Sequence, residues 1–133
     1  MTLIEILIAI AILIISLIAL FEMGNHVTRM NRTSERISDA NFVISQYAEM
    51  FKALPSDAPE LKNDEDNNDL DDTTSPDHQD TATVAKNTYI VMWNVVDNRA
   101  GEDTVYGMKT IKIFVVWKNK VISSVSMARR SYE

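Results

Sequence analysis

The 133-residue sequence contains no cysteine and only three glycines, three prolines and two histidines. Without cysteine the chain can form neither a disulfide framework nor a cysteine-ligated zinc site, and it has no thiolate nucleophile. The three glycines stand apart, so the sequence contains no phosphate-binding loop and no nucleophile elbow. His26 is interpreted as a solvated helix residue and His78 as a loop residue. The sequence therefore predicts a protein that is not an enzyme and that has no cofactor.

The negative charge of the chain comes from one segment. The formal net charge is −6, but residues 57–80 alone contain ten acidic residues and one lysine, a net charge of −9. The low isoelectric point therefore describes this segment and not the surface as a whole. No broad basic face remains, so nucleic acid is not an expected partner.

Charged residues are almost absent from the first 21 positions, where Thr2, Glu5 and Ser16 are the only residues that are not apolar. As a helix, this segment would extend for about 31 Å, enough to cross the hydrocarbon core of a bilayer. It is apolar on every face, so it must be surrounded by lipid or by other protein. We expect a single membrane-spanning helix.

The charges that flank this helix leave two interpretations open. No basic residue precedes it, whereas Arg29, Arg32 and Arg36 follow it, which by the positive-inside rule would hold the C-terminal domain in the cytoplasm. Either a basic leader has been removed before Met1, or the chain is an intact protein with an ordinary anchor. The three arginines share one helix face, which could be solvated, contact phospholipid headgroups or contact the acidic segment of a neighbouring copy.

Glu5 is unusual in a membrane anchor, because an ionised carboxylate inside an apolar segment costs about 2.5 kcal/mol or more. The α-amine of Met1 is the nearest cation, and the positive end of the helix dipole can also stabilise the carboxylate. Glu5 could therefore serve its own helix, or it could pair with a neighbouring chain. Only the second arrangement makes Glu5 an assembly residue.

Residues 1–13, which read MTLIEILIAIAIL, resemble the mature N-terminus of type IV pilins and type II secretion pseudopilins. The resemblance implies that a prepilin peptidase cleaves before Met1 and methylates its amine, and that Glu5 acts in assembly. It also implies that an assembly platform and an ATPase build copies of the chain, or other pilins, into a filament. Ile14 and Glu22 stand where most major pilins have Gly and Pro, which disfavours a major pilin. The initial Met1 resembles several minor pseudopilins, notably the I type, and the run IKIFVVW at residues 111–117 is similar to minor pilin V and pseudopilin I heads.

The sequence after the apolar segment becomes amphipathic over residues 25–54, which predicts a continuing helix that packs one face on a domain and ends before Pro55. The expected packing face consists of Val27, Met30, Ile37, Ile44, Ala48 and Phe51, interrupted by Ser34 and Asn41. Residues 55–86 are polar and acidic, with Pro59 and Pro76 as helix breakers, and are predicted to form an irregular loop.

Alternating apolar residues predict three antiparallel strands within residues 87–133, at 88–96, 108–118 and 121–128. The fold class is therefore α+β, with a long N-terminal helix packed on a small antiparallel sheet, as in the pilin fold. Its expected segments are 1–24 for the membrane or filament-core half of the helix, 25–54 for the packed half, 55–86 for the acidic loop and 87–133 for the sheet. Trp93 and Trp117 are expected in the core, or else in an aromatic platform for adhesion.

The acidic segment is the one candidate ligand site. Asp64, Asp66, Asn68 and Asp72 stand at even spacing and offer hard oxygen ligands for Ca²⁺. The EF-hand pattern fails, because Asp69 and Ser75 stand where it requires Gly and Glu. A solvated surface loop is the favoured interpretation, and a calcium site is the alternative.

Together these features predict a structural subunit that is stored in the inner membrane with its C-terminal domain outside the cytoplasm. It would polymerise through its N-terminal helix into a type IV pilus-like filament, or fimbrium, or into a type II secretion pseudopilus, with a role in adhesion, motility or secretion. The alternative is an anchored binding module that does not polymerise and whose acidic loop holds calcium or another ligand.

Overall fold

The computed structural model describes residues 2–63, 70–98 and 108–130. Its contacts divide the chain into two compact units, Met1–Arg36 and Ile37–Glu133. Helix α1, Leu3–Ala53, supplies residues to both units. It ends two residues before Pro55, as the sequence predicts, because the ring of a proline disfavours helical backbone in the residue before it.

The first unit consists of the N-terminal part of α1. Its apolar segment, residues 3–21, is exposed throughout, and its large apolar side chains are between 42% and 80% exposed. By length and composition this segment could cross a membrane. The hydroxyl of Ser16 within it donates to Ile12 O at 2.8 Å, which satisfies the one hydroxyl of the segment inside the helix itself.

The second unit contains a four-stranded antiparallel sheet in the order β1-β2-β3-β4. Its strands are β1, His78–Val84; β2, Asn87–Asn98; β3, Met108–Trp117; and β4, Lys120–Arg130. The predicted α+β fold class is thus confirmed, and so are the three predicted strands, within a few residues at each end.

The predicted irregular loop over residues 55–86 is wrong in two places. Pro59–Leu61 forms a 3₁₀ turn, and His78–Val84 forms strand β1 at one edge of the sheet. The sequence of β1 shows no apolar alternation, because most side chains of this edge strand are exposed. The strand is held by its backbone ladder with β2.

The core lies between the C-terminal part of α1 and the inner face of the sheet, which is the face that carries Tyr89, Val91, Ile111 and Ile113. These residues occupy alternating positions within two of the strands that the apolar pattern predicts. The opposite side of the sheet is called the outer face below. Residues of α1, the 3₁₀ turn and the sheet form one cluster, whose helix members include Ala40, Val43, Ile44 and Phe51.

The predicted packing stripe on the helix is only partly correct. Ile44, Ala48 and Phe51 pack in the core, whereas Val27 and Met30 are 45% and 57% exposed. Every buried residue of α1 lies in the second unit, from Ala40 onward. An amphipathic pattern predicts which face of a helix is apolar, but it does not predict how many residues of that face are buried.

Candidate functional site

Glu5 lies in the first turn of α1, and its carboxylate caps the helix to which it belongs. Its Oε2 accepts a hydrogen bond from the backbone N–H of Thr2 at 3.0 Å and lies 3.4 Å from the Thr2 hydroxyl oxygen. The backbone N–H of Glu5 bonds in turn to Thr2 O at 3.1 Å. The glutamate thus makes its half of a capping box, which satisfies a backbone donor that the helix itself leaves unpaired.

Thr2 is the site residue that sequence reasoning missed. Its signal is present in the sequence, because Thr-x-x-Glu before an apolar run is the pattern of a capping box. Met1, the predicted site of cleavage and methylation, lies outside the described residues, so these two modifications stay predictions. Among residues 2–63, 70–98 and 108–130, no cation lies within ion-pair distance of Glu5.

The surroundings of Glu5 are apolar. Glu5 borders a shallow depression on the surface of α1, which is lined by Ile6, Ala9, Ile10 and Leu13. The positive end of the helix dipole at this first turn stabilises a carboxylate. An exposed apolar surface with one carboxylate at its edge is suited to contact with another apolar helix that carries a hydrogen-bond donor or a positive charge.

Only one of the four calcium candidates lies within the described residues. Asp64, Asp66 and Asn68 lie outside the described residues, and Asp72 lies within them. Asp72 Oδ1 accepts hydrogen bonds from the hydroxyl and the backbone N–H of Thr74 at 2.6 and 2.7 Å, and these bonds hold the pKa of the Asp72 carboxyl below its usual value. Within the described part of the chain, no group of three or more potential metal ligands occurs.

Residues 70–77 are tied to the sheet through Asn94. Asn94 is fully buried on β2, and its amide nitrogen donates to Asp72 O at 2.7 Å while its carbonyl oxygen accepts from the backbone N–H of Asp77 at 3.0 Å. Asp77 Oδ2 also accepts from the backbone N–H of Val95 at 2.6 Å, and Lys112 pairs with Asp71. This part of the acidic segment is therefore an ordered strap, and the strap is defined as residues 70–77.

An aromatic cluster joins α1, β1 and β2. Trp93 lies with its ring centroid 5.1 Å from that of Phe51, 5.8 Å from that of Tyr47 and 5.3 Å from that of His78. Its indole N–H donates to Glu60 O at 2.8 Å. Trp93 is 5% exposed, which confirms its predicted place in the core.

The other singled-out side chains lie closer to solvent. Trp117 is partly buried against the core, and the Lys118 ammonium lies 4.5 Å from its ring centroid. His26 is exposed, as predicted, whereas His78 begins β1 and its Nε2 lies 2.8 Å from Lys62 O. Arg29 and Arg32 are exposed, and Arg36 is half-buried.

In comparisons with known proteins, no protein family, no curated protein and no solved structure matches the chain. The chain combines a long N-terminal helix with a small antiparallel sheet, an architecture that is consistent with a pilin-like fold.

Proposed function

We propose that this chain is a structural subunit of a filament of the type IV pilus or type II secretion pseudopilus kind. It is stored in the inner membrane through its apolar segment, and it polymerises with copies of itself or with other pilins through the same segment. A prepilin peptidase, an assembly platform and an ATPase are the partners that the N-terminal resemblance implies.

The observation that carries the proposal is the position of Glu5. It is the only charged residue among the first 21, and it stands at the edge of an exposed apolar surface. In a plain anchor the carboxylate serves only the cap of its own helix, which an uncharged glutamine would also complete, while the charge costs about 2.5 kcal/mol or more in hydrocarbon. A subunit that must select its position against a neighbour does gain, because a charge in a dry environment strongly favours the one arrangement that pairs it.

The physics of the apolar segment also supports polymerisation. Lipid chains and a bundle of apolar helices are equally dry, so moving the segment from one to the other has only a small net hydrophobic cost. The segment can therefore leave the bilayer when a neighbour offers an equivalent apolar surface. The work of extraction must come from another protein, since the sequence contains no nucleotide-binding motif.

Two substitutions at Glu5 separate assembly from helix capping. Glu5→Ala removes both the charge and the acceptor for the Thr2 N–H, whereas Glu5→Gln removes the charge and keeps an acceptor, since glutamine also completes a capping box. If the charge pairs with a neighbouring subunit, both variants should lose filaments, by ~10-fold for about 1.4 kcal/mol of lost pairing. Membrane insertion should be intact or improved in both.

The measurement is the yield of sheared filaments beside the amount of membrane-bound monomer, for wild type and each variant. Glu22→Gln is the matched control, because it removes an exposed carboxylate from the same helix outside the apolar segment. Filament yields equal to wild type in both Glu5 variants would contradict the assembly role. Loss in Glu5→Ala alone, with full rescue by Glu5→Gln, would assign Glu5 to its own helix.

A second candidate function is an anchored binding module that does not polymerise, and the net charge of −9 over residues 57–80 favours it. Such a module would take a cation or a cationic partner through the acidic segment. Cysteines introduced along the apolar segment distinguish the two functions, because a filament subunit crosslinks into long ladders and a monomeric anchor does not.

A further inference from the structure

Strand β4 forms an open edge of the sheet. It pairs with β3 on one side only, and among the residues that the structure describes, no backbone hydrogen bond reaches its other side. Residues 121–128 contain neither charge nor proline, and Val121 and Val125 are 44% and 38% exposed. Proteins usually protect such edges with lysine, proline or a covering segment, because unpaired strand edges bind other strands. Residues 121–128 lack this protection, so this edge is suited to pairing with another strand.

The charges around β4 indicate what kind of strand it would accept. Lys120, Arg129 and Arg130 stand at the two ends of β4, and the strand has no acidic residue. At the opposite edge of the sheet, β1 contains Asp80 near its start and follows Asp77, while Lys86 stands beyond its other end. The acidic start of β1 is therefore complementary in charge to the basic end of β4, and these two ends meet when the strands are antiparallel. Two copies of β4 would instead bring like charges together.

Strand direction selects the same pair. Alternation along the four antiparallel strands makes β1 and β4 run in opposite directions. Two copies of the second unit in the same orientation would therefore place β4 of one copy antiparallel to β1 of the other. Antiparallel pairing is slightly more stable per residue than parallel pairing.

We propose that β4 of one copy adds to β1 of the next, so that neighbouring copies form one continuous antiparallel sheet. This inference rests on the membrane anchoring in the proposed function, and not on filament formation. One local bond must give way: the backbone N–H of Thr81 donates to Asp80 Oδ1 at 2.7 Å, and an amide so engaged cannot also donate to a partner strand. The contact is head-to-tail, so it repeats from copy to copy, into a ring if the rotation between copies closes and into an open array if it does not.

The chain has no cysteine, so introduced cysteines can test the pairing without a background. Ser126 on β4 lies opposite Lys112 and Thr81 on β1 lies opposite Ile90, which places both on the outer face of the sheet. Both side chains are exposed. In a ladder between β4 and β1 they would lie on the same side, close enough for a disulfide in the correct register.

The experiment co-expresses full-length Ser126→Cys with a differently tagged second copy carrying Gln79→Cys, Thr81→Cys or Thr83→Cys, in native membranes under mild oxidation. These three positions cover neighbouring registers on the outer face. We expect a heterodimer with one of them at several-fold above the level of any single variant alone. Ala82→Cys is the matched control, because it is the next residue along β1 but points to the inner face, and it should crosslink at background level.

Three outcomes would overturn the proposal. Dimers from Ser126→Cys alone, as abundant as in the mixtures, would assign the contact to two β4 strands. Crosslinking of Ala82→Cys equal to that of the most reactive of the three outer-face variants would indicate random collision. Heterodimers at background in all three registers would exclude the pairing, provided that each reduced variant melts near the wild-type temperature; Ser124→Cys, on the same face, replaces Ser126→Cys if it does not.

The readouts for this pairing and for filament assembly are separate. Filament yield in the Glu5 variants tests assembly, and the disulfide between copies in the membrane tests the sheet edge. A normal filament yield in Glu5→Gln together with the expected heterodimer would contradict the assembly role of the Glu5 charge and leave the edge pairing supported. Loss of filaments in the Glu5 variants without a heterodimer would support the assembly role of the Glu5 charge and contradict the edge pairing.

Discussion

The hydroxyl of Tyr89 on β2 donates a hydrogen bond to Asp39 Oδ2 on α1, with 2.9 Å between the two oxygens. Tyr89 is fully buried, and Asp39 is half-buried. The bond joins the sheet to the helix 50 residues earlier in the chain, next to Ala40, where the buried face of α1 begins. A buried hydroxyl needs a hydrogen-bond partner, and a bond to a carboxylate is stronger than a bond to a neutral acceptor, so this bond stabilises the second unit.

Tyr89→Phe should therefore destabilise the second unit while it keeps the volume of the core. Removing a hydrogen bond to a charged group costs about 1.5–3 kcal/mol. The measurement is urea unfolding of the full chain in detergent, followed by tryptophan fluorescence. Asp39→Asn keeps an acceptor for the tyrosine hydroxyl and should lose less; an equal loss in both variants would mean that the charge of Asp39 is essential to the bond.

Stability should also fall in acid because of Asp80. The hydroxyl of Tyr47 donates to Asp80 Oδ2 at 2.6 Å, and this bond, followed by the backbone N–H of Thr81, holds the pKa of the Asp80 carboxyl below its ordinary value. A carboxyl with a lowered pKa in the folded state stabilises the fold above its unfolded pKa of about 3.9, and that stabilisation is lost as the pH falls through the folded value. The melting temperature should thus decline below about pH 4.

Tyr47→Phe should flatten this acid limb, because it removes the main cause of the lowered pKa of Asp80. It should also change the alkaline limb, since burial and Asp80 raise the pKa of Tyr47 itself. A raised tyrosine pKa stabilises the fold below about pH 10 and loses that effect at higher pH. Melting curves from pH 3 to 11 check both limbs, and Asp72→Asn controls for the second carboxyl whose pKa is lowered.

Asn94→Ala should loosen the strap of residues 70–77. The substitution removes the Asn94 hydrogen bonds to Asp72 O and from the Asp77 N–H, and each lost bond of this kind costs about 0.5–1.5 kcal/mol. Limited proteolysis should then cleave within the strap faster than in wild type, and the urea midpoint should fall. Gln79→Ala, on the exposed side of β1, is a control that should change neither; unchanged cleavage in Asn94→Ala would mean that other contacts hold the strap.

Millimolar Ca²⁺ should change the melting temperature of the full chain little. Asp72, the one calcium candidate among the described residues, already uses Oδ1 to bind Thr74. A ligand at a concentration 100 times its dissociation constant would stabilise the fold by about 2.7 kcal/mol, so a real site would be plainly visible. The measurement compares Ca²⁺, Mg²⁺ and a chelator; a shift of many degrees specific to Ca²⁺ would assign a calcium site to the acidic segment.

The sequence predicts most of the fold because its two periodicities are clear. The helix ends where Pro55 requires, and Tyr89, Val91 and Trp93 alternate into the core as expected. Strand β1 is not predictable in the same way, because its order comes from the ladder with β2 and from the Tyr47–Asp80 bond, and neither leaves an apolar pattern. Tertiary pairing decides its structure where local sequence does not.

The register of β4 shows a second limit of sequence patterns. A bulge between Val115 and Val116 shifts the pairing with β4, and Ile122 then packs against the core while Val121 stays 44% exposed. One extra residue in a ladder changes which face the later side chains occupy. Simple alternation along 121–128 cannot reveal this shift, because the strand is apolar at both positions.

The sequence predicts which residue of the candidate site is unusual, but not which groups that residue binds. Glu5 stands out from composition alone, since a lone carboxylate among apolar residues is costly. Its intramolecular partner, the backbone N–H of Thr2, follows from the Thr-x-x-Glu spacing only once the helix is known to begin at Leu3. The strap is held in part by Asn94, a single polar residue in an apolar strand. The sequence around Asn94 does not reveal which groups its side chain binds.

The continuous helix α1 has a consequence for how this chain can change over generations. All of its buried residues lie between Ala40 and Phe51, whereas residues 3–21 are exposed throughout. Substitutions in the early turns leave the free energy of the folded core untouched, and substitutions in the sheet leave the composition of the early turns untouched. The exposed apolar surface of residues 3–21 and the core contacts of residues 40–51 can thus be altered independently within one helix.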